Sequence, residues 1–342
     1  MVETHEYKGL WWLPSDDAGK LPGTLTVTKG AAALELIGHF GHELLSETQT
    51  EKTYSLDLAE QPRIVGMSTG GKPITLEGHQ AAPHTVSFPG IAAATYRRNV
   101  TLIGKQFADG EDIGFDEISI RASDLNEWTR VSGFESHIGM EKHKEKDYLV
   151  FSNVGIRFDA PDDIDIALAR GERGFIRFSA QSQGIGPGTD HIALHQEAAL
   201  HLRFAKRVGL YEVFDRVGQI RNVLSLAVGR PVAILSVTGY QDDYGDKTET
   251  LLPIELLWEI PYNPALPARA RHPREMLFTL PGDPGDLDGD EELVRQASAL
   301  GTGIQPLLRG APPPGHVSRG QVPRLRASSR NLRLPAASEA WE

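Results

Sequence analysis

Three residues with metal-binding side chains lie on one short segment of the sequence. His195, Glu197 and His201 fall on alternate positions of residues 191–204, and apolar residues occupy many of the positions between them. A period of two is typical of a half-buried strand, so the three side chains are expected on one strand face. Imidazole and carboxylate groups bind divalent metals, and neighbouring strands can supply further ligands. The pattern allows a metal-dependent hydrolase, and the solvated face of an ordinary strand gives the same pattern.

Other catalytic signatures give weaker indications. The sequence contains no H-E-x-x-H pair and no GxxxxGK[ST] phosphate-binding loop. Residues 184–188 are rich in glycine but do not connect a strand to a helix, and the acidic residues 286–291 lack the spacing of a calcium loop. We therefore predict no catalytic residue and no cofactor. His195, Glu197 and His201 remain the weak metal candidates.

The composition restricts the class of protein and its partners. The chain has 342 residues, a net charge of −11 and no cysteine, which excludes disulfides, thiolate metal sites and a cysteine nucleophile. An acidic chain gives no strong nucleic-acid signal in its folded part. The N-terminus lacks an apolar run of signal-peptide length, and no stretch approaches the roughly 20 apolar residues needed to span a bilayer. These observations predict a cytoplasmic protein without a membrane partner.

The elements that must position these residues are mainly strands. Alternating apolar and polar residues recur along residues 8–260, and Gly70 and Gly71 favour a tight hairpin because glycine accepts positive φ angles. The spacing changes at 210–229, where apolar residues recur in steps of three and four, as on one face of a helix. We predict a mainly β fold, sandwich-like or barrel-like, with one long amphipathic helix near 210–229. The polar residues 131–145 are predicted to form a solvated loop.

The C-terminal segment has a different composition. Eight of the 22 prolines fall between residue 281 and the end, and residues 293–338 contain seven arginines and no acidic residue. Such a segment cannot bury a hydrophobic core and is predicted to be disordered. The predicted organisation is a mainly β domain at 1–262, a linker at 263–280 and a disordered Pro/Arg-rich tail at 281–342.

A change of reading frame would also explain this composition. Arginine, proline, glycine, alanine and leucine are the residues that a GC-rich gene tends to encode in a wrong frame. Offsetting the codons of residues 305–336 by one base allows a product with aromatic residues, balanced charge and helical spacing. We therefore expect a frameshift or truncation upstream of about residue 300 that replaces a helical domain, since the helical spacing is typical of one.

Several short blocks, in order, resemble the N-terminal domain of ApeA-like proteins. The hairpin at 64–76 is similar to the central signature of that family, and the end of the predicted helix, at 224–231, is similar to a later block. The other matching blocks are residues 11–14, 23–25, 34–40, 103–107, 115–118 and 125–128. The resemblance extends over roughly residues 8–280.

The resemblance implies a bacterial protein of anti-phage abortive infection. In that family the N-terminal domain is regarded as a sensing or regulatory module, and the RNase activity belongs to a helical C-terminal HEPN domain. The expected partners are a phage-derived trigger or a HEPN effector domain. Because an atypical tail stands where the HEPN domain is expected, no catalytic residue of the family can be assigned to this chain. Two other classes remain open, a β-sandwich module that binds a small ligand or glycan and the metal-dependent hydrolase.

Overall fold

The structure is a computed structural model that describes residues 4–40, 43–47, 52–55, 63–78, 84–86, 93–142, 148–167, 172–183, 193–242 and 252–280. The N-terminal half contributes ten strands: β1 Thr4–Leu13, β2 Asp16–Thr28, β3 Ala31–Ile37, β4 Glu43–Glu47, β5 Lys52–Ser55, β6 Ile64–Ser68, β7 Pro73–Glu77, β8 His84–Val86, β9 Ala93–Arg98 and β10 Val100–Ile103. The remainder contributes β11 Gly114–Ala122, α1 Leu125–Thr129, β12 Phe134–Lys142, β13 Leu149–Phe158, β14 Ile164–Ala167, β15 Arg173–Gln183, β16 Ala193–Gly209, α2 Leu210–Val228, β17 Ile234–Tyr240 and β18 Ile254–Trp258. The mainly β prediction is confirmed.

One long antiparallel sheet organises the part of the chain that the structure describes. Its fourteen strands follow the order β14-β15-β16-β11-β17-β18-β10-β7-β6-β1-β2-β3-β9-β8. Two pairs, β12–β13 and β4–β5, stand apart from it within the same described ranges. Strands that are neighbours in space are often distant in sequence, so the arrangement depends on non-local pairing.

The sheet supports two hydrophobic cores, and β10 and β18 lie between them. Val100 and Leu102 of β10 face a core that contains α2, whereas Ile103 faces a core built from the N-terminal strands. This division follows from the period of two, because successive side chains of a strand point to opposite faces of its sheet. The N-terminal strands also approach β18 through the β2–β3 turn. There Gly30 has a φ of +85°, and a Cβ atom on it would lie 2.0 Å from the carbonyl carbon of Trp258.

The long helix confirms the prediction from spacing. Of its five predicted apolar positions, Ile220 is partly buried, and the other four are fully buried: Val213, Val217, Leu224 and Ala227. Gly229 ends the helix with a φ of 71°, and its N–H bonds back to the carbonyls of Ser225 and Leu226. This is the left-handed C-cap for which glycine is favoured. No helix in the described ranges is both long and apolar enough to cross a membrane.

The polar segment 131–145 is not a simple loop, and that prediction was wrong. Residues of this segment form β12, which pairs with β13 as a two-stranded hairpin. The hairpin is solvated on both faces, and the apolar residues of β12 are too few among polar ones to indicate a half-buried strand. Pairing with β13, which the sequence pattern of β12 does not reveal, creates the strand.

The segment 263–280 lies against both helices. Backbone N–H groups of Leu277 and Leu280 bond to the carbonyls of Ala227 and Trp128. Asp124 is buried and accepts hydrogen bonds from the Arg230 guanidinium at 2.5 Å and from the backbone N–H of Arg271 at 2.7 Å. These bonds hold residues 271–280 against the domain that precedes them. The predicted boundary at residue 262 stays a prediction, and the predicted tail at 281–342 lies outside the described residues.

Candidate functional site: a charged face of the sheet

Two neighbouring strands place ionisable side chains on the sheet face opposite the α2 core. In β11, Ile118 and Ile120 point into the core, so Glu117 and Ser119 point away from it. In β16 the same alternation buries Leu200 and Leu202 and turns His201 and Arg203 to the other face. The register places Ser119 directly opposite His201, and Glu117 directly opposite Arg203. Directly opposed residues share a face, so these four side chains meet.

A hydrogen-bonded cluster results around the carboxylate of Glu117. Its Oε1 lies 2.9 Å from Nδ1 of His201, and its Oε2 accepts hydrogen bonds from Nε and Nη2 of Arg203 at 2.9 and 2.7 Å. An ionised carboxylate only accepts hydrogen bonds, so Nδ1 of His201 carries the proton. Nε2 of His201 lies 3.3 Å from the Ser119 hydroxyl, which donates to it when the imidazole is neutral.

Burial and charge act in opposite directions on Glu117. Only 6% of Glu117 and 7% of His201 is exposed, and the Phe175 ring stacks on the imidazole with centroids 4.8 Å apart. Burial raises the pKa of the Glu117 carboxyl, but the hydrogen bonds from His201 and Arg203 outweigh burial and hold that pKa below its ordinary value. Burial, followed by the charge of Glu117, raises the pKa of Tyr240 on the next strand. Glu117 is therefore a stable anion at the centre of the cluster.

Exposed ion pairs surround this cluster. Arg177 donates to Asp163 at 2.6 Å, and Arg173 donates to Asp165 at 2.9 Å. Both guanidinium groups lie near the Phe175 ring, at 5.0 and 5.2 Å from its centroid. A third pair joins Arg121 to Glu197. We call the following set the charged sheet face: Glu117, Ser119, Arg121, Asp163, Asp165, Arg173, Phe175, Arg177, Glu197, His201 and Arg203.

The order Ser119, His201, Glu117 matches the hydrogen-bond order of a nucleophilic triad. Two features argue against that chemistry. Acyl transfer needs N–H donors directed at the developing oxyanion, but β11 is paired on both sides, so the backbone around Ser119 is used in the sheet. Arg203 also shares the carboxylate that would orient the histidine. The arrangement is better suited to recognition, because the buried Glu117 carboxylate fixes the exposed Arg203, and Asp163 and Asp165 fix the neighbouring arginines.

The structure separates the three residues proposed as metal ligands. His201 joins the Glu117 cluster, Glu197 binds Arg121 and accepts a hydrogen bond from Gln181, and His195 is exposed opposite Gln181. Six residues of extended strand place His195 about 20 Å from His201. Among the described residues, no group of three or more histidine, aspartate or glutamate side chains is arranged to hold a metal ion. The metal site stays a prediction.

Sequence reasoning missed Glu117 and Ser119 as partners of His201. Alternation places them on the outer face of a strand, but only the register shows what lies opposite. A second missed signal is Gly66-x-Ser68-x-Gly70, which has the pattern of a nucleophile elbow. In the structure it lies in the β6–β7 hairpin, where the Ser68 hydroxyl accepts a hydrogen bond from the Lys72 N–H at 2.9 Å. No helix follows the serine there, so the motif builds a turn.

The described residues define a class of protein, an antiparallel β module with a helix on one face and a charged surface on the other. Within this class, residues 6–288 match the family described as ApeA N-terminal domain 1, and the chain belongs to that family. The match continues past the predicted domain boundary at 262. Comparison with curated proteins and with solved structures gives no match.

Proposed function

We propose that this chain is the trigger-sensing N-terminal module of an HEPN-type RNase of bacterial anti-phage defence and that it has no catalytic activity of its own. Membership in the ApeA N-terminal domain 1 family carries the proposal. The partners of such a module are a phage-derived trigger and a HEPN effector domain, joined to it after residue 280 or acting as a separate chain. Its place of action is the cytoplasm.

The charged sheet face is the surface that we assign to the trigger. The side chains of Arg173, Arg177 and Arg203 are each more than half exposed, and their partners hold them in place. Exposed ion pairs contribute only about 0–1 kcal/mol, so a ligand with carboxylates or phosphates can exchange for Asp163 or Asp165 at little cost. Guanidinium groups bind such anions in a bidentate manner. The expected trigger therefore presents an acidic surface to this face.

The position of residues 271–280 supports communication with an effector. This segment is bonded to both helices and leads directly to the residues that follow the domain. α1 in turn contacts β16 through a hydrogen bond from the Asn126 side chain to the Gln196 carbonyl at 3.1 Å. A change on β16 can reach the C-terminal segment through these contacts.

The first test is the nucleotide sequence of the locus. A helical HEPN domain encoded in another frame downstream of about residue 300 would fit the frameshift hypothesis, since helical spacing is what the shifted codons allow. If no frame and no neighbouring gene encodes such a domain, the proposal fails. A second test incubates the purified chain with total RNA. The proposal predicts intact RNA, and cleavage by this chain alone would contradict it.

The third test measures plating efficiency of phage on cells that carry the locus with its HEPN reading frame restored. The double variant Arg173→Gln/Arg177→Gln removes two exposed charges of the face without placing a carboxylate beside Asp163 or Asp165, and it is expected to lose protection while keeping the wild-type melting temperature. Lys8→Gln/Arg97→Gln is the matched control, because it makes the same change in charge at exposed sites on β1 and β9. Equal protection by both variants would remove the charged sheet face from the proposal.

A ligand- or glycan-binding module remains the competing proposal. Glycan sites commonly use exposed aromatic side chains in a concave surface. Tyr148, Tyr211 and Tyr262 are exposed, but they belong to three separate parts of the chain. Binding of the purified chain to a glycan array, lost on substitution of one of these tyrosines, would favour this alternative. The metal-dependent hydrolase has its own test, in which metal analysis of the purified protein finds an ion bound in equimolar amount.

A further inference from the structure

The β12–β13 hairpin carries an exposed apolar stripe. Ile138, Met140, Val154 and Ile156 are between 53% and 62% exposed. Ile138 lies directly opposite Val154, so they share a face, and Ile156 is two residues further along β13. Met140 is two residues from Ile138 on β12 and so shares its face, since the extra residue of the bulge, Ser152, belongs to β13. A continuous apolar stripe on a hairpin marks an interaction surface.

Among the described strands, none pairs with the outer edge of β12. Within the described ranges β12 has one partner strand, β13. An edge strand presents a row of backbone N–H and C=O groups, and proteins normally protect such an edge or use it to bind another strand. The side chains of β12 alternate between the apolar stripe and a polar face that carries Glu135, His137 and Glu141. An incoming strand must therefore match both faces.

We propose that β12 pairs with β12 of a second copy of this chain, antiparallel and with Gly139 on the two-fold axis. In that register Ile138 lies opposite the partner's Met140, which extends the apolar stripe across the interface. His137 lies opposite the partner's Glu141, so an imidazole N–H can donate to a carboxylate, and symmetry makes this pair twice. Opposed residues of this kind stabilise an antiparallel pair.

Charge selects this register over its neighbours. With Ile138 on the axis, Glu135 would lie opposite the partner's Glu141, and like charges directly opposite are destabilising. With Met140 on the axis, Ile138 would lie opposite the partner's Lys142. A shift by a single residue would place the two apolar stripes on opposite faces of the combined sheet. The inference concerns assembly and does not depend on the proposed function.

The test uses the full chain and a charge exchange across the interface. Sedimentation equilibrium should give a dimer of about twice the 37.4 kDa chain mass. His137→Glu places two pairs of carboxylates in opposition and should raise the dimer dissociation constant on the order of tenfold. Adding Glu141→Lys to His137→Glu restores opposite charges and should return the constant close to the wild-type value. Asp112→Lys, an exposed change on another element, should leave the constant unchanged.

Intrachain effects do not mimic this result. His137 and Glu141 lie opposite Gly155 and Val150 within the hairpin, so neither substitution alters a charged cross-strand pair of the same chain. A second measurement uses the double variant His137→Cys/Glu141→Cys, since the chain has no other cysteine. Four residues of strand separate the two thiols by about 13 Å, which excludes an intrachain disulfide. Oxidation should give a covalent dimer.

Three results would overturn the proposal. The first is a wild-type chain that stays monomeric at all concentrations. The second is a dimer whose dissociation constant is the same in His137→Glu and in the wild type. The third is a double cysteine variant that forms no covalent dimer under conditions in which the wild-type chain is dimeric.

Discussion

The Glu117 carboxylate is expected to be the most sensitive polar group of the charged sheet face. In Glu117→Ala, the buried Nδ1–H group of His201 loses the carboxylate that accepts its hydrogen bond. An unsatisfied buried donor costs about 1–3 kcal/mol of stability. The Arg203 side chain is 56% exposed and can turn to water, so loss of its pair adds only about 0–1 kcal/mol. The sum is a destabilisation of about 1–4 kcal/mol.

Glu117→Gln tests the role of charge more closely. The amide keeps the shape of the side chain, and its oxygen can accept from His201 or from Arg203. With that oxygen on Arg203, the NH₂ group can donate to Nδ1 of His201 when the imidazole carries its proton on Nε2, so the hydrogen bonds persist but lose the charge of the carboxylate. We expect a loss of about 1–2 kcal/mol, smaller than for alanine.

Urea unfolding measures these differences. A stability change shifts the midpoint at constant slope, whereas a changed slope indicates altered compactness of one state. Asp165→Asn is the control, because it removes the negative charge of an exposed pair while its amide oxygen can still accept from Arg173, and it should cost at most about 1 kcal/mol. If Glu117→Ala is as stable as Asp165→Asn, Glu117 does not organise the cluster as we argue. A mutant cycle with His201→Ala then separates the coupling of Glu117 to His201 from its coupling to Arg203.

Three further predictions follow from named contacts. The folded-state pKa of Glu117 lies below its ordinary value, so the carboxylate stabilises the fold above about pH 4.3, and this stabilisation is lost as the pH falls through the folded-state pKa. Glu117→Gln should therefore flatten the acid limb of the curve of unfolding free energy against pH. Asp124→Ala leaves the Arg230 guanidinium and the Arg271 N–H without their acceptor and should cost about 2–4 kcal/mol in urea, with faster proteolysis within 263–280. Gly30→Ala should cost at least about 1 kcal/mol more stability than Gly71→Ala in thermal unfolding. Both glycines have positive φ, but only Gly30 lies against the Trp258 backbone. Equal costs would contradict the packing of the β2–β3 turn on β18.

The charged sheet face was partly predictable. The period of two in residues 191–204 placed Glu197 and His201 on the polar face of a strand, and the structure confirms that placement. The same pattern suggested a joint role for His195, Glu197 and His201, but an extended strand spaces side chains of one face by about 7 Å per step. Ser119 lies directly opposite His201, at about 5 Å, and Glu117 lies on the diagonal, within reach of its long side chain, so His201 contacts these two residues.

The hairpin shows a second limit of sequence reasoning. The apolar residues of β12 are few and lie within a polar segment, so the segment was predicted as a loop. Its pairing with β13 and its apolar stripe become visible only when both strands are placed. For the segment 263–280, prolines favoured a linker, whereas the contacts that hold it come from Asp124 and α2, which are distant in sequence.

The sequence by itself determined the mainly β class, the helix α2 and the family, because alternation, helical spacing and short ordered blocks are local properties of the chain. Only the tertiary structure decided which strands are neighbours. Glu117 and His201 are 84 residues apart, and their contact depends on the register between β11 and β16. Burial of the isoleucine and leucine side chains on the opposite face fixes that register. The local pattern of one strand does not specify which residue of the other strand lies opposite.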